Sequence, residues 1–231
     1  MESEKVTFSV ATYSLGDEAD IEEVLGQLVE LNPDVIALQS ISRLARDVVF
    51  PFLKRSGYQY VVFDQVKARD RGEVIFTKLK VVKKAYYPFT HSNLNYGISA
   101  FLLVVGKVGD SQNEPTLRGG DRSKNVWVAT SFLDEAAGCR KAQVTEIGSV
   151  FKNDALVVFA GDTNIPAWQN SSLRAPTGWA DAWREKGSSD NELTDFQDRK
   201  DQIWSKGVYT TEFGYACDDG KRKGIFARFE V

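Results

Sequence analysis

The chain of 231 residues is 42% hydrophobic and 26% charged, a composition typical of a globular domain with a sizeable core. Its net charge of −3 excludes a globally basic nucleic-acid-binding protein, so any contact with a polyanion must come from a local patch. No apolar run approaches the length of a transmembrane helix. The cysteines, Cys139 and Cys217, match no metal-ligand spacing and are interpreted as reduced thiols.

The N-terminal residues resemble neither a signal peptide nor a transit peptide, although removal of a presequence stays open. Together with the reduced thiols, this favours an intracellular protein of unknown compartment. The length favours a single domain spanning 1–231.

The first half of the chain predicts two strand–helix units followed by several strands. Residues 5–13 predict a strand, and apolar residues recur at helical spacing over 17–31. A buried strand is predicted at 34–39. Ser42 is suited to cap a second helix, which would run to about Lys54 and be bent or interrupted near Pro51. Further strands are predicted at 58–63, 73–77 and 81–87.

The second half predicts more strands, one long helix and one long loop. The longest β-like run is 98–108, and the polar, Gly-rich segment 109–124 predicts a flexible loop. The remaining predicted elements are a strand at 126–132, a helix at 136–151 with Ala142, Ile147 and Val150 inward, a strand at 156–160, a short segment with two tryptophans at 178–186, and closing strands at 202–204 and 224–231. This order favours two mixed β-sheets packed face to face with helices outside, an α/β sandwich of four layers.

The stretch 156–164, LVVFAGDTN, is where the sequence most resembles a site of chemistry. A short apolar run leads through Gly161 to Asp162 and Asn164. We expect a buried strand whose carboxyl end presents two oxygen-bearing side chains at the edge of a sheet, where α/β folds commonly place their sites.

Motifs in a fixed order along nearly the whole chain resemble the endonuclease/exonuclease/phosphatase superfamily, which has the deoxyribonuclease I-like fold. The motifs are VATYS at 10–14, PDVIALQS at 33–40, GEVIFTK at 72–78, WVATSFLD at 127–134, FAGDTN at 159–164, KDQIWSKG at 200–207 and KGIFARFEV at 223–231. The phrase AGDTN, preceded by RKAQ at 140–143 and followed by GWADAW at 178–183, is most similar to the tyrosyl-DNA phosphodiesterase branch.

The resemblance implies metal-assisted hydrolysis of phosphate esters, but several of the implied catalytic groups are replaced. The family's Asn, metal-binding Glu and His fall on Ser14, Ser40 and Ser131. Its terminal Ser-Asp-His falls on Gly220, Lys221 and Arg222. The matching residues that remain are Asp162, Asn164 and Asp201, with Gln39 and Thr130 beside them and with Gln202 where the family has Arg.

These replacements favour a catalytically inactive member of the superfamily, used as a structural or binding module in a larger assembly with other proteins and needing no cofactor. Loss of a general base alone typically lowers a rate by about 10²- to 10⁴-fold, and the single histidine, His91, lies far from the expected position. An active phosphodiesterase that binds Mg²⁺ or Mn²⁺ at Asp162 is the first alternative.

A second alternative is a metal-free binder of nucleic-acid phosphate. Its candidate residues are the basic run Lys221, Arg222 and Lys223 and the tryptophans Trp168 and Trp179, since aromatic rings can stack on bases. Each of these candidates also has an ordinary structural interpretation, as a solvated turn or as core packing.

Structural roles are likewise open for the remaining candidates. Asp162 and Asn164 are residues that often form turns or cap helices. Asp201 is suited to an ion pair with Lys200 or Arg222, and His91 to an exposed loop.

Overall fold

The computed structural model describes residues 5–16, 20–60, 63, 70–92, 96–106, 123–164, 175–186, 200–219 and 223–231. The strands in these ranges are β1 (Thr7–Ser14), β2 (Val35–Ser42), β3 (Gln59–Tyr60), β4 (Arg71–Thr77), β5 (Lys80–Pro88), β6 (Gly97–Val105), β7 (Lys124–Thr130), β8 (Val157–Asp162), β9 (Ala180–Asp181), β10 (Asp201–Lys206), β11 (Tyr209–Asp218) and β12 (Lys223–Glu230). The helices are α1 (Ile21–Leu31), α2 (Arg43–Arg55), α3 (Ala137–Val150) and α4 (Ala182–Lys186).

The strands form two mixed sheets of six strands each. Sheet 1 has the order β11-β12-β1-β2-β4-β3, and sheet 2 has the order β5-β6-β7-β8-β10-β9. In each sheet one central pair is parallel, β1 with β2 and β7 with β8. The other pairs described in the structure are antiparallel.

Three apolar layers hold these elements together and confirm the predicted sandwich. Side chains alternate between the two faces of a strand, so Val10 of β1 packs between the sheets while Ala11 packs outward. The layer between the sheets joins residues such as Val10 to Phe101 and Val128 of sheet 2. Outside, α1 and α2 cover sheet 1 and α3 covers sheet 2.

Most predicted elements are confirmed, with shifted ends. Helix α1 begins at Ile21, where the Asp20 side chain accepts the Glu23 N–H as an N-cap. Ser42 caps α2 as predicted. Pro51 does not interrupt that helix, because Pro51 lies within the continuous range of α2.

Other predictions were wrong or fall outside the described residues. Strand β11 was not predicted, because its sequence, YTTEFGYACD, is polar and contains a glycine, as suits a strand at the edge of a sheet. Of the predicted loop 109–124, residues 109–122 lie outside the described ranges. Lys124 belongs to β7, where it pairs with Val105.

The buried face of α3 also differs from the prediction. Ile147 is fully buried, but Ala142 and Val150 are only partly so. Arg140, Gln143 and Val144 are the other buried residues of this helix, and two of them are polar. Among the described residues, no helix is long and apolar enough to span a bilayer.

Candidate functional site

The carboxyl ends of the two parallel strand pairs meet at one edge of the sandwich. Gln39, wholly buried near the end of β2, donates from Nε2 to Thr130 Oγ1 at the end of β7 over 2.8 Å. The same Nε2 lies 3.0 Å from Thr12 Oγ1 and 3.4 Å from the Ala160 carbonyl oxygen. The side-chain amide of Gln39 therefore links β1, β2, β7 and β8 next to the predicted site.

Asp162 and Asn164 lie at this edge, and both make local hydrogen bonds. Asp162 Oδ1 accepts the Asn164 N–H over 2.8 Å, the geometry of a turn formed by an Asp side chain. Asn164 adopts a left-handed backbone with φ of 51°, and its Nδ2 donates to the Leu133 carbonyl over 2.6 Å. Both side chains thus form hydrogen bonds that shape the backbone at this edge.

Gly161 permits the close approach on which this turn depends. A Cβ atom at Gly161 would lie 2.4 Å from the Ser131 carbonyl oxygen, so a larger residue would force the two strand ends apart. The Leu133 N–H donates to the Asp162 carbonyl over 2.9 Å. Segment 131–133 is therefore held against the end of β8 by backbone contacts.

Asp201 opens β10 directly opposite Asp162, with which it pairs in register. Its Oδ2 accepts the Ser14 N–H over 3.4 Å across the two sheets. The structure thus brings the matching residues Asp162, Asn164 and Asp201 together, together with Ser14 at the end of β1. All four are buried.

Ser131, which stands where the resemblance implies the catalytic histidine, is turned inward. It is wholly buried, and its Oγ donates to the Gly97 carbonyl over 2.7 Å. A hydroxyl in this position links β6 to the end of β7. With no ionisable group, it offers no proton transfer near neutral pH.

Ser40, which stands at the implied metal-binding Glu, lies in a strained segment of β2. Its φ is 54°, a left-handed conformation that is rare for residues other than glycine and asparagine. The pairing of β2 with β4 shifts between Leu38 and Ile41 at this point. The strain is therefore associated with a β-bulge at the edge of the site.

Of the candidate binding residues, the structure describes Lys223 and Trp179. Lys221, Arg222 and Trp168 lie outside the described residues. The Nζ atom of Lys223 lies 4.8 Å from the centroid of the Tyr215 ring and 3.9 Å from Asp218 Oδ2. Its charge is thus already engaged by its own strand pair.

Trp179 lies near the opposite end of sheet 2. It packs against Phe151 with a centroid distance of 6.4 Å, and Phe151 also contacts Trp127. Trp127 pairs with Val157 at the start of β8, five residues before Asp162, which corresponds to about 16 Å along a strand. The packing interpretation of Trp179 agrees with this position.

His91 belongs to a hydrogen-bonded cluster on α3 that the sequence did not indicate. Its Nδ1 lies 2.6 Å from Glu146 Oε1, and Glu146 also accepts the N–H groups of Thr90 and His91. Burial alone would raise the pKa of Glu146, but the hydrogen bonds from Thr90 and His91 outweigh it, so the pKa is lowered. The histidine side chain is 64% exposed.

Gln143 connects this cluster to the segment behind the site. Its Nε2 donates to Asp134 Oδ2 over 2.9 Å and to the His91 carbonyl over 3.1 Å, and its Oε1 accepts the Asp134 N–H. A buried glutamine within the RKAQ motif was the only sequence signal for this connection. Its role is to fix the segment that carries Ser131.

Tyr13 ties the end of β1 to the segment that leads to β12. Its hydroxyl donates to Asp219 Oδ2 over 2.7 Å, one residue before the undescribed stretch 220–222. Burial, followed by the hydrogen bond to Asp219, raises the pKa of Tyr13. The phenol therefore stays protonated and acts as a donor at physiological pH.

The carboxylates that the structure describes at this edge are Asp162 and Asp201, which lie opposite each other in register. Within the part of the chain that the structure describes, no group of three or more His, Cys, Asp or Glu side chains is placed to hold one. Asp162 Oδ1 and Asp201 Oδ2 each accept a backbone N–H group, and Mg²⁺ is usually bound through one or two carboxylates, with waters completing its octahedral shell.

No family model and no curated protein sequence matches the chain, but solved structures match it over nearly its whole length. Humanized D. rerio TDP2 is 15% identical, with a TM-score of 0.70 and coverage of 97% of this chain and 99% of that chain. An endonuclease/exonuclease/phosphatase family protein from Bacteroides thetaiotaomicron is 12% identical, with a TM-score of 0.72 and 99% coverage of both chains. The chain has the endonuclease/exonuclease/phosphatase fold.

A third match extends the comparison to a different activity. ANGEL2, a 2′,3′-cyclic phosphatase, is 12% identical with a TM-score of 0.70, covering 98% of this chain and 96% of that chain. At these identities the likeness shows the fold alone, since one fold hosts many functions. The predicted resemblance to the superfamily is therefore confirmed at the level of the fold.

Proposed function

We propose that the chain is a catalytically inactive form of the endonuclease/exonuclease/phosphatase fold that serves as a binding module in a larger assembly. The observation that carries this proposal is Ser131. At the position implied for the general base, its hydroxyl is buried and bonded to the Gly97 carbonyl, so the position holds two strands together and supplies no base.

The neighbouring groups support the same conclusion. Hydrolysis of a phosphate ester needs a positioned base, a cation or donors for the developing charge, and a path for water. Here Gln39 is fully engaged between the sheets, and Asp162 and Asn164 close a turn on each other and on Leu133. These three side chains form hydrogen bonds that hold neighbouring segments of the fold together.

The test is an assay of the purified chain with Mg²⁺ or Mn²⁺. The names of the structural matches suggest substrates: single-stranded DNA, which one D. rerio TDP2 structure contains as product, and oligonucleotides ending in a 2′,3′-cyclic phosphate. A 5′-phosphotyrosyl oligonucleotide and a duplex complete the panel. We expect no turnover above the buffer rate with any of them.

Turnover that disappears in Asp162→Asn, with the melting temperature of the chain retained, would overturn the proposal and establish the metal-dependent alternative. Asn keeps the shape of Asp and an oxygen that can accept the Asn164 N–H, which makes this variant a gentler probe than alanine. Salt-sensitive retention of oligonucleotide without turnover, lost on reversing the charges of Lys221 and Arg222, would instead establish the nucleic-acid-binding alternative.

A further inference from the structure

The outer face of sheet 1 carries two neighbouring helices with unusual exposed features. Six large hydrophobic side chains are exposed among the described residues, and three of them, Leu31, Leu44 and Val48, lie on α1 and α2. Leu44 is 84% exposed, and Val48 follows it one helical turn later. Pro51, the next residue along this stripe, is exposed as well. The side chains of Leu44, Val48 and Pro51 form a row along α2 and are not apolar residues scattered singly over the surface.

The two helices run in the same direction. Helix α1 connects the parallel strands β1 and β2. Helix α2 connects β2 to β3, and β3 is parallel to β2 because both pair antiparallel with β4. Their buried sides pack together on sheet 1, so their exposed sides form one continuous surface, which we call the α1–α2 face.

The charges on the α1–α2 face are separated by helix. The exposed charges of α1 are all acidic, Glu22 and Glu23 in the first turn and Glu30 near the end. Those of α2 are mainly basic, with Arg43 at the start and Lys54 and Arg55 at the end, against the single acid Asp47. Arg46 of α2 is partly buried and interacts with Glu73, so its charge is not part of this face.

Gly26 makes no close contact with the described residues that would require a glycine. It lies in the middle of α1 on the exposed side, and a Cβ atom there would meet nothing within 4 Å. Glycine inside a helix costs about 1 kcal/mol relative to alanine, so alanine would be favoured if this surface faced only water. A glycine at such a position allows the backbone of another helix to approach closely.

We propose that the α1–α2 face binds a second copy of this chain in a symmetric dimer. A twofold axis parallel to the helices would set α1 of one copy against α2 of the other, with the same ends aligned. Glu22 and Glu23 then oppose Arg43, and Glu30 opposes Lys54 and Arg55. The surface is self-complementary in charge, with Leu44 and Val48 at its apolar centre and Gly26 where the helices come nearest.

The size of the face sets the expected affinity. Helices of 11 and 13 residues are about 16 and 20 Å long, and two of them side by side are about 20 Å wide. This footprint is below that of a standard stable interface, so we expect a reversible dimer whose population depends on protein concentration. The Arg43–Asp70 ion pair, 3.6 Å and well exposed, is weak enough to be exchanged.

The test is sedimentation velocity of the full chain over a wide range of concentration. We expect a monomer–dimer equilibrium, and Leu44→Asp should raise the dissociation constant by more than about tenfold. Val82→Asp is the matched control, since Val82 is also an exposed apolar residue but lies on β5 of the other sheet. It should leave the equilibrium unchanged.

Charge reversal identifies the pairing of helices. Glu30→Lys alone and Lys54→Glu alone should each weaken the dimer, and the double variant should restore it, because the reversed charges again face each other across the axis. In the Leu44→Asp background, Gly26→Ala should raise the melting temperature. In the otherwise unchanged chain, Gly26→Ala should weaken the dimer. That opposite sign cannot come from helix propensity alone.

A chain that stays monomeric at every concentration would overturn the proposal, as would a dimer that Leu44→Asp and Glu30→Lys leave intact. Failure of the double reversal to rescue would refute the pairing of α1 with α2. A monomer that co-sediments with phosphatidylserine vesicles through Leu44 would assign the face to a membrane surface and also overturn the dimer. None of these outcomes depends on whether the chain is catalytically inactive.

Discussion

Replacing Gln39 is the most direct test of how the two sheets are joined. Its amide contacts the hydroxyls of Thr12 and Thr130 and the carbonyl of Ala160, and it is wholly buried. Replacing it by alanine removes at least two buried hydrogen bonds at about 1 kcal/mol each. The cavity that remains adds about 1–3 kcal/mol. We expect Gln39→Ala to lower the free energy of unfolding by about 3–5 kcal/mol.

Denaturant unfolding followed by tryptophan fluorescence measures this loss, since Trp204 is fully buried in sheet 2. For a domain of this size, the melting temperature should fall by about 10 °C. Gln59→Ala is the matched control: Gln59 also donates from Nε2 to a carbonyl, that of Leu79, but it is exposed. We expect a loss of less than about 1 kcal/mol there. A Gln39 variant no less stable than the Gln59 variant would refute the role of the amide as the link between the sheets.

Three further changes test the backbone around the site and the cluster on α3. Gly161→Ala should destabilise the chain by more than about 2 kcal/mol, because the added Cβ would lie 2.4 Å from the Ser131 carbonyl oxygen. Gly138→Ala is the control and should stabilise the chain, because Gly138 has open space around it. Equal melting temperatures of the two variants would contradict this prediction. Ser40→Gly should add about 1 kcal/mol by relieving the left-handed backbone, and a loss of stability in chemical denaturation would show that the backbone there is unstrained. Because the pKa of Glu146 is lowered in the folded state, its carboxylate stabilises the fold at pH values above the pKa of the unfolded state. This contribution is lost as the pH falls through the pKa of the folded state. Glu146→Gln should therefore cost about 1 kcal/mol at neutral pH and less in acid, and a difference that does not change with pH would exclude the charge as the cause.

The layers of the fold could be predicted because apolar periodicity reports burial. Strands such as β2 and β8 are almost continuously apolar, and both were placed within two residues of their observed starts. Apolar periodicity does not predict strand β11, because an edge strand with one solvent-exposed face needs few apolar residues. The inward side of α3 was misjudged because two of its buried residues, Arg140 and Gln143, are polar.

The site could be predicted only in part. The chain positions of Asp162, Asn164 and Asp201 follow from motif order, and the structure brings them to one edge. The hydrogen bonds that decide their roles depend on partners far away in the chain. Gln39 and Thr130 are 91 residues apart, and no local pattern indicates that one amide would serve four strands.

The two proposals concern different surfaces, and that separation has a physical consequence. At the edge that carries Asp162, the side chains of Asp162 and Asn164 form hydrogen bonds within the fold, whereas the α1–α2 face has exposed leucines, opposed charges and a helical glycine with open space around it. In a binding module, we expect exposed apolar and charged side chains to be concentrated on the surface that contacts the partner. Because Leu44 is exposed on α2 whereas Asp162 is buried at the end of β8, changes at the two positions should add independently in stability.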